Sequence, residues 1–195
     1  MQRLSGEPSS PTRLLILANV LVYIGTSIAS GNFVETSEDV LRTVGQANYL
    51  VLQGAVGQLF TSNFVHVNLT HLFGNMIFLW IFGMGAETLF NRKQYLIIYL
   101  ASGLFGSVLS LFTGIDSVSA GASGAIFGLF GAVTIYSEGL DARSIIMALF
   151  YSLYFLALNM GVNVNVYAHA GGLIIGLLLG YCYARSTPKE NRYLA

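Results

Sequence analysis

Read along its length, the chain alternates between long apolar runs and short polar interruptions, with no alternation of period two that would suggest strands. Six runs are long enough, or nearly so, to cross a hydrocarbon layer of about 30 Å as helices. They are Leu14 to Ile28, Leu69 to Leu89, Tyr95 to Phe112, Gly121 to Tyr136, Ile145 to Met160 and Ala168 to Ala184. The pattern predicts an all-α membrane protein, a six-helix bundle over residues 14–184 with short tails at 1–13 and 185–195. "SGEPSSPT" and "STPKENRYLA" in those tails read as disordered. One connection is long, from Ala29 to about Asn68. Within it "YLVLQGAVGQLF", Tyr49 to Phe60, is apolar but too short and too glycine-interrupted to span. It reads as a segment lying in the outer leaflet against the bundle.

Composition agrees with this picture. Of 195 residues 54% are hydrophobic and only 9% charged, against about 25% in soluble domains. The mean hydropathy is +0.66. The first run has only Arg3 and Arg13 before it and no clear small-residue cleavage site beyond Ile28, so it reads as a retained span rather than a signal peptide. With six spans and a cytoplasmic N-terminus, Arg3, Arg13, Arg92, Lys93, Arg143, Arg185, Lys189 and Arg192 all fall inside, and only Arg42 falls outside. That bias predicts cytoplasmic termini, most simply in a cell membrane. The single cysteine, Cys182, has no partner for a disulfide and is expected to be a packing residue. Neither net charge, which is zero, nor any basic stripe supports nucleic-acid binding.

Glycine supplies a second pattern. Gly172, Gly176 and Gly180 recur every fourth residue in the last span, and Gly121, Gly124, Gly128 and Gly131 line the fourth. Small residues at this spacing let helix backbones approach closely in lipid, so spans four and six are expected to be neighbours. His169 lies on the glycine face of span six, which brings it toward Ser123 at the start of span four.

Polar groups inside a bilayer are costly and mark function. His66, His71 and His169 all sit at the outer ends of spans, and Asn75 shares a helix face with His71. A serine hydroxyl needs a base to become a nucleophile, and His169 is placed to serve. The tetrahedral intermediate that follows needs donors for its oxyanion. Asn75, His71 and the Ser123 backbone N–H, at a helix start, are available. Gly121 and Gly124 would let a substrate backbone approach. No carboxylate lies near His169 in the sequence, so the expectation is a Ser/His dyad without a third member.

Three stretches, "HVNLTHLFGN" at His66 to Asn75, "GASG" at Gly121 to Gly124 and "AHAGGLIIG" at Ala168 to Gly176, resemble the rhomboid family of intramembrane serine proteases. "FGMGAE", Phe82 to Glu87, is similar to the family's close to span two. The resemblance implies a six-helix core, an active site opening to the outer side, Ser123 as nucleophile, His169 as base, and an oxyanion site at Ser123 N–H, His71 and Asn75. Gly121 is expected to help bind substrate, and His66, Phe127, Gly124 and Gly172 to support the site. Phe127 stands where the family often has a tyrosine stacked on the catalytic histidine. Just upstream of span two the family's Trp-Arg pair is Gly57-Gln58 here, a departure that bears on how firmly the first loop is anchored. By resemblance the substrates are single-span membrane proteins in the lipid bilayer, cut near the outer end of their helix. No cofactor and no metal is called for.

Two other classes of function fit parts of the pattern. A catalytically inactive rhomboid-like protein would bind and escort membrane helices, though such relatives usually lack the serine or the histidine, and both are present. A metal site built from His66, His71 and His169 is chemically possible, although no cysteine or carboxylate joins them.

Overall fold

In the computed structural model, residues 10–138, 140–158 and 164–187 are described. Helix α1 runs Pro11–Ser30; proline opens it, the Ser10 side chain accepts from Arg13 N, and Gly31 at φ 64° ends it. Such caps satisfy backbone groups that a helix end leaves unpaired. The connection that follows holds α2 (Glu38–Val44), strand β1 (Gln46–Ala47), α3 (Asn48–Leu52) and α4 (Gln58–Thr61). α5 (Leu69–Leu89) is capped by Asn68 and α6 (Arg92–Leu109) by a reciprocal Asn91/Gln94 capping box, followed by a 3₁₀ turn at Ser110–Thr113. Strand β2 (Val118–Ser119) pairs antiparallel with β1, Gln46 opposite Ser119 and Ala47 opposite Val118. α7 (Ser123–Glu138), α8 (Ala142–Leu158) and α9 (Val166–Ser186) complete the bundle.

Among the described residues, four helical stretches are long and apolar enough to cross a membrane: Pro11–Ser30, Leu69–Leu89, Arg92–Thr113 and Val166–Ser186. α7 and α8, which occupy the expected fourth and fifth spans, are shorter at 16 and 17 residues. The expected end of span five, Met160, lies outside the described residues, as do residues 1–9 and 188–195 of the tails. α1 and α9 both extend beyond the expected 14–184 boundaries, to Pro11 and Ser186. Gly121 departs from its expected place in the fourth span: it precedes the helix at φ 137°, a conformation open to glycine and costly for other residues.

α7 is the hub, packed against α5, α6, α8 and α9. Its seam with α9 is closed glycine on glycine. A Cβ at Gly172 would run into the Gly124 carbonyl, one at Gly176 into the Gly128 carbonyl, and one at Gly180 would lie 2.7 Å from Ala132 Cα. The expected contact of the fourth and sixth spans is therefore present, in the close-backbone form that small residues permit. Tyr95, Ile98, Tyr99, Leu79 and Leu129 fill the bundle interior, while Leu17, Leu21, Phe73, Ile81 and Leu178 point outward. Cys182 is exposed rather than packed: it lies off the face that carries the glycine seam.

The connection between α1 and α5 is tied down by buried amides. Gln58 is 7% exposed; its Oε1 accepts from Ala47 N at 2.9 Å and its Nε2 donates to the carbonyls of Arg42 and Thr43 at 2.8 and 3.2 Å. Gln46 donates to Asn48 and to the Ser107 carbonyl, and Asn48 reaches the carbonyls of Ser110 and Gly114. At the position where the resemblance raises the question of anchoring, Gln58 thus supplies three bonds. Gln58→Ala leaves a buried N–H and two carbonyls unpaired, so a loss of stability of about 1–3 kcal/mol is expected, to be read as a lowered midpoint in thermal unfolding of the detergent-solubilised protein.

Candidate active site

Ser123 is the first residue of α7, where the first turn's N–H groups have no intrahelical partners. The segment leading into it is fixed on both sides. β2 is held by β1, and Gly121 N donates to the Ser62 carbonyl at 2.9 Å. His169 lies in the first turn of α9, 7% exposed, with Nε2 2.9 Å from Ser123 Oγ. Phe127, one turn into α7, stacks on its ring with centroids 4.3 Å apart and planes 19° from parallel. His169 Nδ1 is buried with no hydrogen-bond partner among the described residues. When Nε2 accepts the hydroxyl proton, Nδ1 carries the ring hydrogen.

α5 supplies the opposite wall. His71 sits in its first turn against Gly121, where a Cβ would come within 2.8 Å of His71 Cε1. Gly121 is thus required for space as well as for conformation. Asn75, one turn on, donates from Nδ2 to the His71 carbonyl at 2.9 Å. The second hydrogen of that amide is not spent in this bond. His66 precedes α5, fully buried, and meets the His71 ring edge to face at 5.2 Å. Burial, with the neighbouring His71 adding to it, pushes the His66 imidazole down to about 3, so it stays neutral.

A cavity of about 510 Å³ brings these groups together; His71, Asn75, Ser123, Phe127 and His169 line it, with Phe78 and Ile126 as apolar walls. Gly121 and Gly124 line a smaller neighbouring cavity of about 30 Å³ behind Ser123. His66 and Gly172 lie outside both, His66 backing His71 and Gly172 closing the helix seam. Among the described residues no group of three or more His, Cys, Asp or Glu is arranged to hold a metal ion. His66 and His71 meet ring edge to face, and His169 Nε2 is engaged by Ser123.

Two lining residues escape the sequence pattern. Ser119, in β2, carries no signal there. Asn165, the N-cap of α9, accepts from Ala168 N at 3.0 Å, and an Asn three residues before that position is a readable helix-start signal.

The chain is similar to known proteins over most of its length. The Rhomboid family model, a rhomboid domain, matches residues 53–186. Rhomboid protease GluP of Bacillus subtilis (strain 168) is 32% identical over 198 residues, covering 97% of this chain and 37% of that protein. RHOMBOID-like protein 6, mitochondrial, of Arabidopsis thaliana is 35% identical over 157 residues, 76% of this chain and 51% of the relative. RHOMBOID-like protein 2 of Arabidopsis thaliana is 39% identical over 132 residues, 64% of this chain and 41% of the relative. The chain thus spans about half or less of the length of these three. The matched domain and the four long apolar helices make this an integral membrane protein, and the chain belongs to the rhomboid family.

Proposed function

We propose that this protein is an intramembrane serine endopeptidase that hydrolyses peptide bonds in or next to the transmembrane segments of single-span membrane proteins. The observation that carries the reading is the 2.9 Å separation of Ser123 Oγ and His169 Nε2, both lining one cavity, in a chain of this family. In the proposed reaction Ser123 Oγ attacks the scissile carbonyl carbon while its proton passes to His169 Nε2. The C–N bond then breaks as the imidazolium returns the proton to the leaving amine. Water, deprotonated by the same nitrogen, attacks the ester carbon, and the C–Oγ bond breaks as the imidazolium returns the proton to Ser123 Oγ. The oxyanion in both steps is met by Ser123 N–H, the free hydrogen of the Asn75 amide and the His71 ring.

The proposed membrane arrangement has six spans, α7 and α8 being the short ones, with both termini cytoplasmic and the cavity on the outer side of a cell membrane. At 1.5 Å per residue α7 is about 24 Å long, less than a hydrocarbon thickness of about 30 Å. Its first residue would then lie below the membrane surface, inside a ring of longer helices. The connection at 31–68, with Leu52, Val56 and Phe60 exposed, would rest partly in the outer leaflet. A helical substrate hides its carbonyls in hydrogen bonds, so its end must unwind before attack.

Reconstitution with a single-span protein in liposomes tests the reading. Two fragments, with the cut mapped by mass spectrometry to the outer end of the helix, are expected; an intact substrate that nonetheless co-purifies with the protein would favour helix escort. Asn75→Ala is expected to lower kcat by roughly 10²-fold, as for loss of one oxyanion donor. Full activity in that variant would remove Asn75 from the role.

A further inference from the structure

We propose that Asn165 is a positioning residue that holds His169 in register with Ser123, acting as a three-way clamp; this inference rests on the Ser/His reading above. Its side chain makes three hydrogen bonds. Oδ1 accepts from Ala168 N at 3.0 Å, and Nδ2 donates to Ser110 Oγ and to Ser119 Oγ, each at 2.8 Å. Its own carbonyl accepts from His169 N at 3.2 Å. One amide thus joins three elements: the start of α9, which carries His169; the 3₁₀ turn that ends α6; and β2, which leads into Ser123.

The rest of the site leaves this task to Asn165. His169 Nδ1 has no partner among the described residues, so no side chain there fixes its ring by hydrogen bonding from behind. Stacking on Phe127 sets the plane of the ring but leaves sliding within that plane soft. The α7/α9 seam is glycine on glycine, which brings the helices close yet provides few interdigitated side chains to block rotation or axial sliding. The Asn165 clamp lies one turn before His169, at the end of α9 where such a displacement would be felt by the reacting atoms. Because both Nδ2 hydrogens are spent on hydroxyls, Asn165 offers no free donor to a substrate, although it borders both cavities.

The residue type matters. An aspartate would keep the cap on Ala168 N but replace the donor by a second acceptor. Ser110 Oγ already donates to the Gly106 carbonyl at 2.9 Å, so its hydroxyl hydrogen is committed and it could not answer an acceptor at that point. Asn165→Asp therefore breaks the Ser110 arm while preserving the helix start; the Ser119 hydroxyl can turn to donate to the new carboxylate, so the second arm is removed only with Ser119→Ala.

The test measures thermal midpoint, kcat and KM for cleavage of a reconstituted single-span substrate in wild type, Asn165→Asp, Ser119→Ala and the double variant. The expected result is a kcat lowered roughly ten- to a hundredfold in Asn165→Asp, the scale of misplacing a catalytic group by about 1 Å. KM stays close to wild type, and the thermal midpoint falls by no more than the loss of a single hydrogen bond would give. Ser119→Ala gives a smaller fall of the same kind, and the double variant, which removes both arms, falls further than either single variant. A raised KM with unchanged kcat would overturn the inference in favour of substrate binding. A lowered midpoint with unchanged kcat and KM would overturn it in favour of a structural cap. If Asn165→Asp fails to fold, Ser119→Ala decides alone, unchanged kcat counting against the clamp. Cleavage absent from wild type would overturn the Ser/His reading, and the clamp with it, whereas failure of the clamp alone leaves wild-type cleavage intact.

Discussion

Ser123→Ala is expected to lower proteolysis by roughly six orders of magnitude, the scale of loss when the nucleophile of a serine hydrolase is removed, while leaving the fold in place. The substitution deletes one oxygen, which is hydrogen-bonded to His169 Nε2. The backbone at the start of α7 is held independently, by the β1/β2 pair and by the bond from Gly121 N to the Ser62 carbonyl. The net stability change is therefore about 1 kcal/mol or less. An unaltered thermal midpoint together with abolished cleavage separates chemistry from folding. A variant that still cleaved at a tenth of the wild-type rate would exclude Ser123 as the nucleophile.

Gly172→Val is expected to have the largest effect on stability. The added Cβ meets the Gly124 carbonyl and, at 3.1 Å, Gly124 Cα, which are backbone atoms of a buried helix rather than the tip of a flexible side chain. The seam must open, and with it the neighbouring contacts of Gly176 with Gly128 and Gly180 with Ala132. A cost of about 3 kcal/mol or more follows, at or above the upper range for overpacking. The strain falls one turn from His169, so surviving folded protein would hold the imidazole displaced from Ser123. Gly25 gives the contrast: it lies in α1, where an added Cβ would meet nothing within 4 Å, and Gly25→Ala should be neutral or stabilising by up to about 1 kcal/mol. Thermal unfolding of the two variants in detergent checks both; equal midpoints would refute the close seam.

Much of this arrangement can be read along the chain because it rests on local regularities. The second apolar run predicts α5 to the residue, since Leu69 and Leu89 bound a continuous helix between an Asn cap and an extended Phe90. The every-fourth glycines locate the α7/α9 seam, because close backbone contact requires that spacing. The seam in turn brings the start of α9, with His169, beside Ser123 at the start of α7. What the chain conceals depends on contacts between distant segments. β1 and β2 are two residues each, too short for any periodicity, and they exist through the long-range pairs Gln46–Ser119 and Ala47–Val118. The anchoring by Gln58 involves carbonyls of Arg42 and Thr43, which no side-chain pattern announces. Gly121 is expected inside a helix because glycines at regular spacing look alike whether they close a seam or turn a corner; its φ of 137° separates the cases. Cys182 is expected to pack because its sequence surroundings are apolar, but a membrane-facing surface is as apolar as an interior.

Whether Ser123 is activated by His169 is tested most directly by labelling the purified protein with a serine-reactive fluorophosphonate. Activation by His169 entails covalent labelling of wild type, mapped to the peptide containing Ser123, and its loss in both Ser123→Ala and His169→Ala. Labelling that persisted in His169→Ala at the wild-type rate, or that mapped to another serine, would contradict it.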